Sequence, residues 1–316
     1  MDSTTDKQLG INSWFEEELH QEYLHNRQLV GEDWKAVFDS IPPGAGSGPF
    51  AGLAPPQRTV AGVALTGSEE LIPLRGAAAR LAGNMTASLG IPTATSQRTI
   101  SVKIIDENRQ LINQHRTLLG KSKISYTHII GWAIVQALKS FPALNHAYVE
   151  KDGQPFRLAH RQINFGIAVD VEGKDGNRSL LVPNIKNAGS LNFQQYLAAF
   201  DDVVLRARTG KLTPEDLQGA TVSLTNPGTV GTVGSIPRLM PGQGCIIATG
   251  SIDYPAEFAG VTPEMKAALG VSKVMTITCT YDHRIIQGAE SGMFLAKVQD
   301  LLQGGGGFYE QIFTDL

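Results

Sequence analysis

Apolar and polar positions divide this chain into three stretches of different character. From about residue 71 onward the apolar residues recur with structural periods. Residues 75–89 read as a helix and residues 99–105 as a strand. Ile130, Ile134, Ala137, Leu138 and Phe141 mark the buried stripe of a second helix. Ile163, Phe165, Ile167, Val169 and Val171 alternate with Gly166, Ala168 and Asp170, which predicts one unbroken strand. Residues 173–176 read as a turn and residues 180–182 as the partner strand. Ser190 is placed to cap a helix carrying Phe193, Tyr196, Leu197 and Phe200. Three further strands are predicted at residues 220–225, 245–250 and 274–281. Gly288 opens a final helix with Phe294, Val298 and Leu301 on one face. Strands and helices mix without a regular βαβ rhythm. The expectation is therefore an α/β domain over residues 71–316, with helices packed on a mixed or antiparallel sheet. No internal repeat interrupts it.

The other two stretches differ. In residues 1–40, Ser13-Trp14-Phe15-Glu16 fits a capping box, and Phe15, Leu19 and Tyr23 then recur every four residues. Trp34, Val37 and Phe38 form a second short pattern. A segment of about 40 residues cannot build a core alone. Its stripe either folds back on the same chain or docks on a partner. Residues 41–70 are a linker: residues 41–58 read IPPGAGSGPFAGLAPPQR, too rich in Pro, Gly and Ala to bury apolar surface.

Composition narrows the function classes. The 316 residues are 42% hydrophobic and 18% charged, as in an ordinary globular protein. A formal net charge of −3 provides no basic footprint for nucleic acid. No apolar run is long enough to cross a membrane. The N-terminus lacks a basic-then-apolar signal pattern, so a cytoplasmic location is expected. Cys245 and Cys279 lie in apolar runs; they could pair, but buried thiols fit that setting better. With no CxxC and no His/Cys cluster, no metal site is expected.

Two positions carry candidate chemistry. His283 follows a strand and precedes the turn glycine Gly288. Its imidazole could serve as a general base near neutral pH, or fill a structural or surface role. His115, His128, His146 and His160 read as helix-surface or loop residues. Thr225 ends a strand before Asn226-Pro227-Gly228, where a hydroxyl can donate to an oxyanion. It could equally be a β-branched strand residue with no chemical task. The Gly-rich run from Gly228 to Gly234 has no nucleotide-binding spacing.

Asp282-His283-Arg284-Ile285-Ile286-Gln287-Gly288 resembles the Asp-His-Arg-x-x-Asp-Gly signature of dihydrolipoyl acyltransferases, the core components of 2-oxo acid dehydrogenase complexes. Further matches follow in family order: Ile72-Pro73-Leu74-Arg75, Leu181-Val182-Pro183-Asn184-Ile185-Lys186-Asn187 with Leu191-Asn192-Phe193, Ser223-Leu224-Thr225-Asn226, and Pro241-Gly242-Gln243. The resemblance implies a trimeric two-layer sandwich of the chloramphenicol-acetyltransferase kind. It also implies His283 as base and Thr225 as oxyanion donor, meeting across a subunit boundary. Asp282, Arg284 and Gln287 would support the histidine. Coenzyme A would be a substrate; Arg109 and Lys186 are candidate cations for its phosphates, unless they are ordinary exposed charges. Asn12-Ser13-Trp14-Phe15-Glu16-Glu17-Glu18-Leu19 and Asp33-Trp34-Lys35-Ala36-Val37-Phe38 resemble the leader of the thiamine-dependent 2-oxoglutarate dehydrogenase component. Together these point to the fused actinobacterial-type 2-oxoglutarate dehydrogenase/decarboxylase. The chain stops roughly where the thiamine-dependent part would begin, as a truncated or a short natural form. Thiamine diphosphate and magnesium would enter only with such a downstream domain.

The expected reaction is succinyl transfer between dihydrolipoamide and coenzyme A. No lipoyl domain is visible, so the lipoyl arm would come in trans from an acyltransferase protein, with dihydrolipoamide dehydrogenase as a further partner. The family usually has aspartate where this chain has Gln287, which keeps hydrogen bonds but not charge. The domain is therefore either active with altered support for His283 or a silent trimeric scaffold. A free-standing antibiotic acetyltransferase fits the leader and linker poorly.

Overall fold

The computed structural model describes residues 23–24, 26–29, 35, 39, 72–74, 77–172 and 178–316. The chain divides into two units, Met1–Leu71 and Ile72–Leu316. In the first unit, Tyr23 Oη and Arg27 Nη2 both donate to the Asp39 carboxylate. The Arg27 guanidinium also lies 5.5 Å from the Tyr23 ring centroid. These few residues close on one another. The capping box at Ser13, the residues Phe15, Leu19, Trp34, Val37 and Phe38, the linker, and the turn at residues 173–176 lie outside the described residues.

The second unit runs α1 (Ala77–Ser88), β1 (Thr93–Ser101), α2 (Lys103–Leu118), α3 (Tyr126–Ser140), β2 (Ala147–Lys151), β3 (Gln154–Leu158), β4 (Phe165–Ile167), β5 (Val169–Glu172), β6 (Arg178–Leu181), β7 (Asn184–Ile185), α4 (Phe193–Arg208), β8 (Val222–Thr225), β9 (Cys245–Thr249), α5 (Pro263–Ala268), β10 (Val274–Asp282), α6 (Gly288–Leu302) and α7 (Phe308–Asp315). Six strands form one sheet in the order β1-β10-β9-β8-β4-β7. It is mixed: β8 runs parallel to both β9 and β4, and the other neighbours are antiparallel.

Alternation along the central strands separates two faces. Met275, Ile277, Cys279 and Tyr281 of β10 join Cys245, Ile247, Val222 and Leu224 in the core with residues of α3, α4 and α6. The opposite positions of β10 are Thr276, Thr278, Thr280 and Asp282, a polar row. Polar partners satisfy it: Thr280 Oγ1 lies 2.8 Å from Thr95 Oγ1, and Thr278 donates to Ser235 O at 2.7 Å. Cys245 and Cys279 are buried free thiols on neighbouring strands.

Several elements depart from the sequence reading. The strand expected at residues 99–105 begins earlier and ends at Ser101. Val102 N donates to Lys273 O and Asp106 N to Val102 O, so the chain turns straight into α2. The alternating run 163–171 is two strands. Ala168 N reaches Leu224 O, after which β5 leaves the main sheet to pair with β6. Asn192, not Ser190, caps α4; it accepts from Gln195 N at 2.9 Å, and Gln195 Oε1 accepts from Asn192 N at 3.1 Å. α6 is not the last helix, because α7 buries Phe308, Tyr309 and Ile312 and Asp315 accepts from Phe193 N.

α3 packs closely enough on α4 and β4 to require glycine at 131. A Cβ there would stand 2.3 Å from Tyr196 Oη and 3.1 Å from Phe165 Cε1. Burial pushes the Tyr196 hydroxyl well above its ordinary pKa, and it has no hydrogen-bond partner among the described residues. Gly131→Ala is expected to cost about 2–3 kcal/mol in denaturant unfolding by overpacking. Adding Tyr196→Phe should recover part of that loss by removing the clashing oxygen. An undiminished loss in the double variant would place the strain elsewhere.

Candidate active site

The turn after β10 is tied down on every side. Asp282 N donates to Gly244 O at 3.1 Å, and His283 N to Pro92 O at 2.9 Å. Ile285 N and Ile286 N both return to Asp282 O, and their side chains are buried. The Asp282 carboxylate is buried and receives Arg284 in a fork: Nε to Oδ1 at 2.9 Å and Nη2 to Oδ2 at 2.6 Å. This pairing holds the Arg284 guanidinium above its ordinary pKa. That guanidinium also lies over the Tyr148 ring, 3.7 Å from its centroid. Arg157 Nη2 donates to Ile285 O. His283 itself is exposed, its ring edge-on to Tyr281 at 5.5 Å.

Gln287 is the N-cap residue of α6, with extended backbone at φ −93° and ψ 154°. Its N–H donates to Glu290 Oε2 at 2.8 Å, and its carbonyl accepts from Ser291 N at 3.1 Å. Arg284, three residues before Gln287, is paired with Asp282.

Thr225 lies at the other end of the sheet. It pairs with Ala248 of β9, and Ala248 pairs with Thr278 of β10. From the level of Thr278 to His283 is five positions, roughly 17 Å at about 3.4 Å per residue, besides two strand spacings sideways. One chain therefore does not bring these side chains together. The Thr225 turn is firmly seated. Asn226 Nδ2 donates to Thr127 Oγ1 at 2.9 Å, and a Cβ on Gly228 would meet Gly250 O at 2.2 Å. The Gly-rich run thus serves close backbone packing.

Cavities lie at both ends. At the Thr225 end, one of about 530 Å3 is lined by Lys103, Asp106, Tyr126, Tyr254 and Lys273. Lys266 Nζ and Lys273 Nζ stand 4.6 and 5.6 Å from the Tyr254 ring centroid. At the His283 end, cavities of about 410 and 160 Å3 share Pro241 and Gln243, and the smaller is lined by Asp282 and Arg284. Gln243 is itself anchored, accepting from Ser223 Oγ at 3.0 Å.

Neither cation singled out from the sequence is uncommitted. Arg109 Nη2 donates to Asp106 at 3.0 Å and its guanidinium lies over Tyr126 at 4.3 Å. Burial raises the Asp106 carboxyl, but donors from Tyr126, Arg109 and Gln110 outweigh it and hold the group below its ordinary pKa. Lys186 Nζ donates to Gln218 O. Lys103, Lys266 and Lys273 were not singled out from the sequence, because no predicted element brings them together; they are far apart along the chain and no local pattern marks them.

The histidines sort differently too. His115 is on the surface of α2, and His146 and His160 flank the β2–β3 hairpin, where burial lowers both pKa values. His128 is a correction: it is buried in the first turn of α3. Its Nδ1 accepts from Ser125 N at 3.0 Å and its Nε2 lies 3.0 Å from Asp201 Oδ1, which ties α3 to α4.

The family of 2-oxoacid dehydrogenases acyltransferase (catalytic domain) matches residues 66–307. The chain belongs to this family. A multifunctional 2-oxoglutarate metabolism enzyme of Mycolicibacterium vanbaalenii is 52% identical over 259 residues, 82% of this chain. The chain spans 21% of that relative's length. A probable dihydrolipoamide acetyltransferase from Listeria monocytogenes superposes with a TM-score of 0.62 at 26% identity, over 75% of this chain and 95% of its own. The Azotobacter vinelandii dihydrolipoamide acetyltransferase, studied for a serine, a histidine and an asparagine in its catalytic mechanism, gives 0.63 at 23% identity, over 74% and 91%. The acyltransferase fold is thus shared across the second unit.

Position 287 of this acyltransferase domain allows a direct test. Aspartate is a better N-cap than glutamine and adds negative charge at a helix N-terminus. Glu290 already occupies that end, so repulsion offsets part of the gain. Gln287→Asp is expected to raise unfolding free energy by about 0.5 kcal/mol, and Gln287→Asp/Glu290→Gln by more. Destabilisation by both variants would refute the capping role.

Proposed function

We propose that this domain transfers a succinyl group between dihydrolipoamide and coenzyme A within a 2-oxoglutarate dehydrogenase complex, using sites shared between subunits of a homotrimer. The observation that carries this reading is the separation of His283 and Thr225 to opposite ends of one sheet. Two groups needed at one reacting carbon then come from two subunits, as a closed ring of identical subunits provides.

His283 Nε2 takes the proton from the attacking thiol. The thiolate adds to the thioester carbonyl, and the resulting oxyanion accepts a hydrogen bond from Thr225 Oγ of the neighbouring subunit. Collapse expels the second sulfur, which recovers the proton from His283. The lysine-lined cavity beside Tyr254 supplies better phosphate contacts for coenzyme A than Arg109 or Lys186, because those two are already engaged. Gln287 keeps a carboxamide four positions after the histidine, the spacing at which the Azotobacter enzyme's asparagine stands from its histidine. This supports activity over the scaffold reading that the missing aspartate otherwise favours.

The same reading extends to the rest of the assembly. Residues 1–40 serve as a docking leader and residues 41–70 as its tether; the division after Leu71 supports that boundary. The lipoyl arm comes from another acyltransferase protein, and dihydrolipoamide dehydrogenase reoxidises it. Thiamine diphosphate and magnesium would enter only with a downstream domain. The setting is the bacterial cytoplasm; among the described residues no helix is long and apolar enough to cross a membrane.

Two experiments decide this reading. His283→Ala is expected to abolish transfer from succinyl-CoA to dihydrolipoamide, and Thr225→Val to slow it about a hundredfold. Co-expressing the two variants in equal amounts should restore about a quarter of the wild-type sites, because about a quarter of all interfaces in randomly mixed trimers join both intact residues. No recovery in mixed trimers, or a fully active monomer, rules out the shared site. No turnover by a folded wild-type trimer leaves the scaffold. Lys273→Ala is expected to raise the KM for coenzyme A roughly two- to fivefold at low salt, whereas Lys186→Ala leaves it unchanged.

A further inference from the structure

We propose that the β2–β3 hairpin is the positioning element for His283, with Tyr148 and Arg157 as its working residues. This rests on His283 acting as the base. Tyr148 and Arg157 are directly opposed across the hairpin, so both side chains leave the same face. They engage consecutive residues of the histidine turn. Tyr148 presents its ring face to the Arg284 guanidinium at 3.7 Å, and Arg157 donates to the carbonyl of Ile285. Arg284 thus has its N–H edge on the Asp282 carboxylate and its guanidinium over an aromatic ring.

His283 has its own backbone bond only on the strand side, to Pro92 O. Its imidazole is exposed, and the edge-on Tyr281 ring at 5.5 Å contacts it from the strand side. Where the ring sits depends on the backbone that carries it; beyond His283 that backbone is tied back to Asp282 by Ile285 N and Ile286 N, and the hairpin adds the hold from outside the turn. The hairpin has a rigid base. Buried Asn145 donates to Gln162 O at 3.0 Å and to His160 O at 3.3 Å, and accepts from Thr221 Oγ1 at 2.5 Å. Thr221 immediately precedes β8, so the clamp is braced on the strand that carries Thr225.

A base displaced by about 1 Å can lose about a hundredfold in rate. The full chain carrying Tyr148→Ala, Tyr148→Phe, Arg157→Ala or Arg157→Lys tests the clamp. Succinyl transfer from succinyl-CoA to dihydrolipoamide gives kcat and KM. The aromatic Cε1–H signal of His283, assigned by its loss in His283→Gln, reports the ring without needing turnover. Both alanine variants are expected to lose roughly 10- to 100-fold in kcat, with KM within about twofold and Tm within about 3 °C. Their His283 signal should shift or broaden. Tyr148→Phe keeps the ring face and Arg157→Lys keeps a donor; both should stay near wild type. Should Tyr148→Ala fail to fold, Tyr148→Leu, which has no ring face, carries the same expectation. Wild-type kcat and an unmoved His283 signal in the alanine variants would overturn the proposal. Absent turnover in the wild type counts against succinyl transfer alone. The His283 signal then decides the clamp: a change in the alanine variants upholds it, and no change overturns it.

Discussion

Because β9 runs antiparallel to β10 and parallel to β8, the C-terminal ends of β8 and β10 lie at opposite ends of one sheet. That constraint governs where chemistry can occur. A strand end is where a side chain can leave the ladder and face a cavity, and this chain places its candidate base at one such end and its candidate oxyanion donor at the other. Each end has its own cavities and its own hydrogen-bonded support. Under the proposed mechanism each end is a half-site, and a neighbouring subunit completes it.

Charge at the histidine end is handled by pairing. A carboxylate as deeply buried as Asp282 cannot be left alone, since an unpaired buried charge costs several kcal/mol. Arg284 supplies both the counter-charge and the hydrogen bonds, two residues along the same turn. This local pair is also what fixes Arg284 for Tyr148 to cover. The polar row of β10 leads into it: Thr278 and Thr280 are buried and partnered, and Asp282 continues their face to the strand end. Burial, pairing and the direction of His283 are therefore linked along one strand.

The parts visible in the sequence were those with apolar alternation. β8 and β10 show it, because one of their faces enters the core; α3 and α6 show the helical equivalent, and β9 is a short apolar run buried on both faces. β1, reading TATSQRTIS, has no apolar alternation, because it is an edge strand whose pairing with β10 is made by backbone. Residues 163–171 misled for the opposite reason. Perfect alternation says that a segment is extended, but not that its two halves pair in the same sheet. The motif placed His283 and Thr225 at strand ends, but their supports are long-range: Pro92, Tyr148 and Arg157 for one, Thr127 and Gly250 for the other. No local pattern encodes such contacts. His128 read as a surface residue because a histidine three positions after an N-cap serine is an uncommon capping box.

Gln287 takes on a different meaning in this setting. Judged against the motif alone, a neutral residue in place of aspartate suggests a weakened site. At the N-terminus of α6 the relevant charge is already present in Glu290, which accepts from Gln287 N. A carboxylate at 287 would stand three residues from it on the same helical turn, where like charges repel. Arg284, three residues before it, is already paired with Asp282. A neutral, hydrogen-bonding residue therefore satisfies the helix end without disturbing the Asp282–Arg284 pair. The substitution is compatible with an intact histidine turn, and the contacts that position His283 lie in Pro92, Asp282 and the hairpin, none of which needs a charge at 287.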